Sequence, residues 1–371
     1  MGRPRRAETC PYDQVNVVHC VNRCVRRGYL CGQDPVSGRN FEHRRGWIRA
    51  RLEFLAGAMA IEVLGYAVMS NHFHVILRNR SDIVEKLSDR EVALRWWQLC
   101  PQRRNEDGSP AEPTEFEINA WTTDTERNQE LRRRLSDVSW FMRFVAGDIA
   151  KRANKEDEVT GRFWEGRFKC QPLLDDAAIL TCMQYVDLNP VRAGIAATPE
   201  HSDFTSAQDR IADCQLAVSG ESRQRKHSDA SHASTRQVRA RTEHVTEHGP
   251  RAGWLQPIAL DPPRMRVRQR HTGRRNSNDG FLNLSVSEYL ELLDWTGRQI
   301  RRDGKRGTIP TRLAPILKRL KLDAEVFVDS VRQFRRWHSS GTGRPASLER
   351  QLQRTGRNRP LNASLSRQAF A

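Results

Sequence analysis

A chain of 371 residues has room for about two domains of roughly 150 residues each, so size is no obstacle to an enzyme. Its 62 Lys and Arg against 45 Asp and Glu leave a formal charge of +17, which favours a polyanionic partner, nucleic acid first, through phosphate contacts and counterion release. No apolar run of about 18 residues occurs, and the N-terminal stretch from Met1 to Glu8 lacks the apolar core of a secretory signal, so a cytoplasmic protein without membrane association is expected.

From the N-terminus, Val15 to Asn22 reads as a first strand. Arg44 to Ile61 reads as a helix with Trp47, Ile48, Leu52, Leu55 and Met59 on one face. A strand from Glu62 to Met69 follows, and Ser70-Asn71 is a tight turn, so the next strand should pair with it as an antiparallel hairpin. That strand carries His72-Phe73-His74-Val75-Ile76-Leu77. Side chains alternate along a strand, so His72 and His74 share a face and can grip one cation, while Phe73 packs on the other side.

The stretch from Ser81 to Ser136, with Pro101, Gly108-Ser109-Pro110 and Pro113 among many charges, reads as an insertion with some helix of its own. Its Trp96-Trp97 pair reads as local packing. Ser139 to Arg152 resumes an amphipathic helical period. Arg162 to Pro172 alternates basic and aromatic positions and is expected as another strand, whose aromatics and arginines could stack bases and neutralise phosphates. Asp175 to Asn189 then forms a helix, with two acids in its first turn and Pro190 after its last residue.

Beyond Asp213 the composition turns polar to about Gly249, the signature of a flexible linker. Ser285 to Glu288 is a capping box for a helix through Ile300, and Pro310–Leu320 and Asp323–Trp337 continue a helical module. The tail from Gly341 is Arg-rich. The division expected is therefore a catalytic domain over 1–205 with its insertion at about 81–136, a linker over 206–280, a helical module over 281–340 and a basic tail over 341–371.

The His-x-His pair gains meaning from Tyr185-Val186-Asp187-Leu188-Asn189. Four residues apart on a helix, Tyr185 and Asn189 lie on one face. An asparagine amide oxygen and two imidazole nitrogens suit Mg2+ or Mn2+ with positions left for a phosphate oxygen. A phenol with a pKa near 10 needs such a polarised phosphodiester to act as nucleophile. Eight cysteines without a Cys-x-x-Cys pair indicate reduced structural thiols, and Cys20, Cys24 and Cys31 with His19 match no zinc spacing. No Gly-x-x-x-x-Gly-Lys-Ser/Thr loop is present.

Three segments, Gly65 to His74, Arg162 to Lys169 and Tyr185 to Gly194, carry a resemblance to the HUH-type single-tyrosine transposases of bacterial insertion sequences, most closely the REP-associated tyrosine transposases. It runs from about Val15 to Ala196. The resemblance implies a ferredoxin-like α+β fold, an antiparallel sheet with helices. It also implies His72 and His74 as metal ligands, Asn189 as the third ligand and Tyr185 as the nucleophile that cleaves single-stranded DNA at a hairpin or inverted repeat. The enzyme would leave a 5′-phosphotyrosine link, acting as a monomer or homodimer. Position 187, histidine in many relatives, is Asp here, with its role open. The alternatives are a relaxase or replication initiator with the same chemistry, or a non-catalytic or domesticated regulator that binds hairpin DNA. A metal hydrolase of small molecules would explain the histidines but not the charge.

Overall fold

The computed structural model of the chain describes residues 11–25, 30–35, 37–216, 251–260, 274–300, 323–334 and 341–355. Four strands, β1 (Val17–Arg23), β2 (Ile61–Val68), β3 (His72–Asn79) and β4 (Lys169–Leu173), form one antiparallel sheet in the order β2-β3-β1-β4. The expected β2–β3 hairpin is present, with Met69 N donating to His72 O at 2.8 Å across Ser70-Asn71. Helix α1 (His43–Ala58) joins β1 to β2. Three helices, α2 (Asp89–Leu99), α3 (Glu115–Thr122) and α4 (Thr125–Leu135), build the insertion. Polar as that stretch is, Ser88 with Glu91 and Thr114 with Glu117 form capping boxes that satisfy the first N–H groups of α2 and α3. Helix α5 (Val138–Glu156) leads back toward β4, and α6 (Asp176–Asp187) follows it. The order βαββαβ in the core is the ferredoxin-like arrangement expected, an α+β fold.

The pleat divides the sheet into two differently employed faces. Val18, Cys20, Phe73, Val75 and Leu77 point to the side of α1 and α5 and join Ile48, Leu52, Phe141, Val145 and Ile149 in one core. Val17, Ala67, Ile76 and Leu173 lie against α6 in a second core. Every residue of α6 from Ala177 to Asp187 is buried, which requires cover on both sides of the helix. The second side is supplied from far along the chain by α8 (Val286–Ile300) and α9 (Ala324–Arg332), which contribute Tyr289, Leu292, Phe327 and Val331 to that core. Here α7 denotes the helix over 206–216, and α10 (Pro345–Thr355) follows α9.

Parts of the stretch read as a polar linker pack closely on the sheet. Trp254 is fully buried against Tyr66, and Ser277 Oγ donates to the buried Glu62 carboxylate at 2.6 Å, which Arg78 and Arg80 also hold. Residues 217–250 of that linker, the Pro310–Leu320 helix, the end of the Asp323–Trp337 helix and the tail beyond 355 lie outside the described residues. One expectation is corrected. Arg162 to Phe168 is not strand: only Lys169–Leu173 pairs with β1, preceded by a single bridge from Trp164 to Cys24. Between the Val21–Lys169 pair and that bridge, three steps along β1 oppose five along the other chain (24 − 21 against 169 − 164). The two extra residues force the loop out of the ladder.

Asp187 closes the back of α6. Its Oδ1 accepts from Ser206 Oγ at 2.6 Å and from the Ala207 N–H at 3.0 Å, at the start of α7, and its Oδ2 accepts from Tyr289 Oη at 2.5 Å on α8. Burial pushes the carboxyl above its ordinary range, while Arg210 and these three donors pull it back. Asp187→Ala strands three buried donors at once, so urea unfolding should report a loss of about 2–4 kcal/mol. An unchanged midpoint would remove Asp187 as the tie between α6, α7 and α8.

Candidate active site

At the end of the sheet where β3 begins and β1 ends, His72 and His74 share the α6 face. Their ring centroids are 4.8 Å apart. Phe73 between them is fully buried in the α1–α5 core, as strand alternation requires. Asn71 Oδ1 accepts from His72 Nδ1 at 2.5 Å, which makes Nε2 the acceptor nitrogen of the neutral ring. Arg23 is the register partner of His72, placing a guanidinium on the same face beside it.

Tyr185 on α6 lies over this face. Its ring stands edge-on to His74, 5.5 Å between centroids. Asn189 does not extend the same helix as expected: Leu188 ends α6, its N–H donating to Gln184 O, and Asn189 opens a separate helical turn, Asn189–Arg192, with Pro190 behind it. Proline at that position needs no donor. The side chain nonetheless reaches the site, with Asn189 Nδ2 3.2 Å from His74 Nε2. Of the four residues singled out from the sequence, Tyr185 and Asn189 thus touch or neighbour His74, and His72 is alongside.

His19 on β1 is the residue that sequence reasoning missed. Its Nε2 lies 2.8 Å from His74 Nδ1, and the two rings are stacked, 5.1 Å between centroids and 7° from parallel. Burial lowers the His19 pKa to about 4, against a smaller upward pull from its hydrogen bond with Gln171. The ring is therefore neutral near pH 7. Gln171 Nε2 donates to Thr342 Oγ1 at 2.5 Å, and the same side chain bonds to His19. With the shared hydrogen carried on His74 Nδ1, the His74 Nε2 lone pair faces Asn189, the tautomer a metal ligand needs. A lone histidine in Val15 to Asn22 gives no hint of this, because the contact depends on the β1–β3 register.

Other groups crowd the tyrosine. Tyr185 is only 4 % exposed. The Phe334 ring stacks on it at 4.9 Å, and the Arg192 guanidinium sits 4.9 Å above it. Arg192 also donates to Arg332 O at 2.7 Å, tying the Asn189 turn to the end of α9. Asp187, left open from the sequence, bonds to Ser206, Ala207 and Tyr289 and not to the histidines. Cys20 and His19 are adjacent on β1 and so face opposite sides of the sheet, which separates the cysteines from His19. None of the described cysteines forms a disulfide.

Among the described residues no three His, Cys, Asp or Glu side chains are grouped to hold a metal. A cation at His72 and His74 would accordingly rely on the Asn189 amide. The donor set fits a hard divalent ion once that amide presents its oxygen, an exchange of O for N that leaves the side chain where it is. No described helix is long and apolar enough to cross a membrane.

No protein-family profile and no curated protein sequence matches the chain. A solved structure of a REP-associated tyrosine transposase bound to a REP hairpin is similar to it at 13% identity, with a TM-score of 0.34, over 57% of this chain and 86% of the other. A likeness at that level establishes no activity for this chain.

The neutral state of His19 carries a pH signature. An unfolded histidine takes up a proton below about pH 6.5, and the folded one refuses it until about pH 4. Stability from this residue is therefore fully present above pH 6.5 and is lost as pH falls toward 4, by about 3 kcal/mol in all. His19→Gln, which cannot titrate, should show a shallower fall in urea stability over that interval than the parent chain. Parallel curves for the two proteins would contradict the buried neutral ring.

Proposed function

We propose that the protein is a divalent-metal-dependent enzyme that nicks and rejoins single-stranded, hairpin-bearing DNA, a DNA transposase, with Tyr185 as nucleophile and His72, His74 and Asn189 as metal ligands. The observation that carries this reading is the convergence on His74, whose ring is 5.5 Å from that of Tyr185 and whose Nε2 is 3.2 Å from the Asn189 amide nitrogen. The basic excess of the chain and the motif resemblance at the same residues favour DNA as the polyanion.

Tyr185 Oη would attack the phosphorus of one backbone phosphodiester, releasing the phenolic proton. The bond from phosphorus to the 3′ oxygen breaks, and that oxygen takes up a proton, leaving a free 3′-hydroxyl and a 5′-phosphotyrosine link. Attack by a 3′-hydroxyl on this link reverses the exchange and releases the tyrosine. One ester replaces another at each step, so no nucleotide cofactor is consumed. A bound Mg2+ or Mn2+ supplies Lewis-acid neutralisation of the non-bridging phosphate oxygens. Arg23 beside His72 and Arg192 over Tyr185 would add fixed positive charge around the same phosphate. His19 orients His74 and touches no substrate.

A second reading has its own support. Tyr185 is 4 % exposed and lies under Phe334, so a phosphodiester reaches its hydroxyl only after nearby side chains shift. A regulator that binds hairpin DNA without cutting it would have no need of that movement.

Full-length protein with Mn2+ and a labelled hairpin oligonucleotide should give a covalent adduct that is absent in Tyr185→Phe. Adduct persisting in that variant would remove Tyr185, and tight binding with no adduct at all would select the regulator. Asn189→Ala should weaken Mn2+ binding, read by titration of the free protein, by tenfold or more. Phe334→Ala should speed adduct formation while lowering the melting temperature through lost packing. A slower reaction would show that the stacked ring positions the tyrosine instead of covering it.

A further inference from the structure

The loop expelled from the sheet ladder, 162–168, sends Phe163 into the α1–α5 core with Trp164 and Phe168 packed on it, while its arginines play no part in the fold or in the proposed chemistry. It leads directly into β4 and is pinned to the end of β1. Glu165 N donates to Arg23 O at 2.9 Å and Val25 N to Phe163 O at 3.0 Å. Because Arg23 is the register partner of His72, the loop is fixed to the same sheet end as the candidate metal ligands. Its outer side forms an open cavity of about 450 Å3 lined by Arg162, Phe163, Trp164, Gly166 and Arg167.

The floor of this cavity is rigid. Trp164 Nε1 donates to Ala146 O on α5 at 2.8 Å, and the indole is wedged edge-to-face against Phe163 and Phe73, at 4.9 and 5.7 Å. Trp164 remains half-buried, and Phe163 is buried beneath it. A tryptophan held by its N–H and by two T-shaped ring contacts, with part of its surface open, offers ring area to a ligand at reduced entropic cost on binding. The rim is cationic. Arg162, Arg167 and Lys169 are exposed, against one acid in the loop, Glu165. Arginines that serve the fold are paired, as Arg44, Arg49 and Arg80 are with Glu156, Asp209 and Glu62. Arg162 and Arg167 form no ion pair among the described residues. A Cβ added at Gly166 would meet nothing within 4 Å, so the mouth has space for a planar ring.

We propose that this cavity is a nucleotide-binding subsite that stacks one unpaired DNA base on Trp164, with Arg162 and Arg167 on the adjoining phosphates, at the sheet end of His72 but on the α5 side. The inference rests on the reading of the chain as a single-strand nicking enzyme and specifies where the strand beside the cut is held. A stacking aromatic beside paired cations is the chemistry that single-stranded nucleic acid selects. An acidic protein partner would use the arginines but leave the indole face without a planar occupant.

The test uses the full chain carrying Tyr185→Phe, so that binding is measured apart from cleavage. The probe is a DNA hairpin with an unpaired arm, bearing 2-aminopurine at successive positions of the arm. Emission should be quenched at one arm position in the parent. Trp164→Phe should retain the quenching, and Trp164→Leu should lose it and bind roughly 5- to 150-fold more weakly. Arg162→Gln with Arg167→Gln, both on exposed side chains, should reduce the slope of log affinity against log salt by about 1.4. Quenching and affinity unchanged in Trp164→Leu would overturn the subsite, as would an unchanged salt slope in the arginine pair or tighter binding of the same sequence as RNA. Should Trp164→Leu fail to fold, the arginine pair decides alone. Adduct formation by the unsubstituted chain, run in parallel, separates the two claims. Adduct together with Trp164-independent binding sinks the subsite only, and Trp164-dependent quenching without adduct sinks the nicking reading only.

Discussion

The hydrogen bond between His19 Nε2 and His74 Nδ1, 2.8 Å long, is the contact on which the site depends. It exists only because β1 and β3 are antiparallel neighbours in a fixed register, with His74 opposite Val21 and His19 one pleat further along. A slip of one residue would turn one of the two rings to the α1–α5 side and break the contact. The register is in turn enforced by burial on both faces: Val18, Cys20, Phe73 and Val75 must meet one core while Ile76 meets the other. The polar chain from Thr342 through Gln171, His19 and His74 to Asn189 is therefore a consequence of hydrophobic alternation.

Burial of α6 on every side has a related consequence. A four-stranded sheet with two helices on one face leaves its other face to be covered, and here α6 and the helices beyond residue 280 cover it. Asp187 turns that cover into a fixed arrangement, since one carboxylate binds the start of α7 and the hydroxyl of Tyr289 on α8. Tyr185, two residues earlier, faces the opposite way, onto His74. One helix thus has its position set from behind by a buried acid and presents a phenol in front. Under the proposed function such backing would hold the phenol at its angle of attack, where an error of about 1 Å is enough to cost much of a rate.

Much of this was legible in the sequence where the signal is local. The spacing of His72 and His74 around Phe73, the Ser70-Asn71 turn, the apolar periods of α1 and α5 and the acidic start of α6 all follow from pleat, turn chemistry and helix geometry within a few residues. What escaped depends on distant partners. His19 has no local mark that separates it from an ordinary strand histidine. Phe334 comes to Tyr185 across 149 positions (334 − 185). Arg162 to Phe168 alternates like a strand and is not one, because two extra residues between fixed ladder contacts must leave the sheet. The end of α6 at Leu188 is a subtler case: Pro190 marks the stop, yet the helix breaks one residue before Asn189 and begins again with it.

Net charge, which first suggested a nucleic-acid partner, divides unevenly once the arginines are followed to their contacts. Arg78 and Arg80 are spent on the buried Glu62 carboxylate, the buried Arg44 on Glu156, and Arg49 and Arg251 converge on Asp209, whose side chain is fully buried. These cations stabilise the interior and are not available to a polyanion. A second group, Arg134, Arg143 and Arg152, lies over Trp140 and Trp47 on α5 and α1, where ring contacts hold the guanidinium groups against the surface. Arg23, Arg162, Arg167, Lys169 and Arg192 belong to the sheet end that carries His72 or to the turn after α6. A uniform basic surface would bind DNA anywhere. Because the interior consumes some of the cations, composition alone overstates the charge that reaches solvent and conceals where it lies.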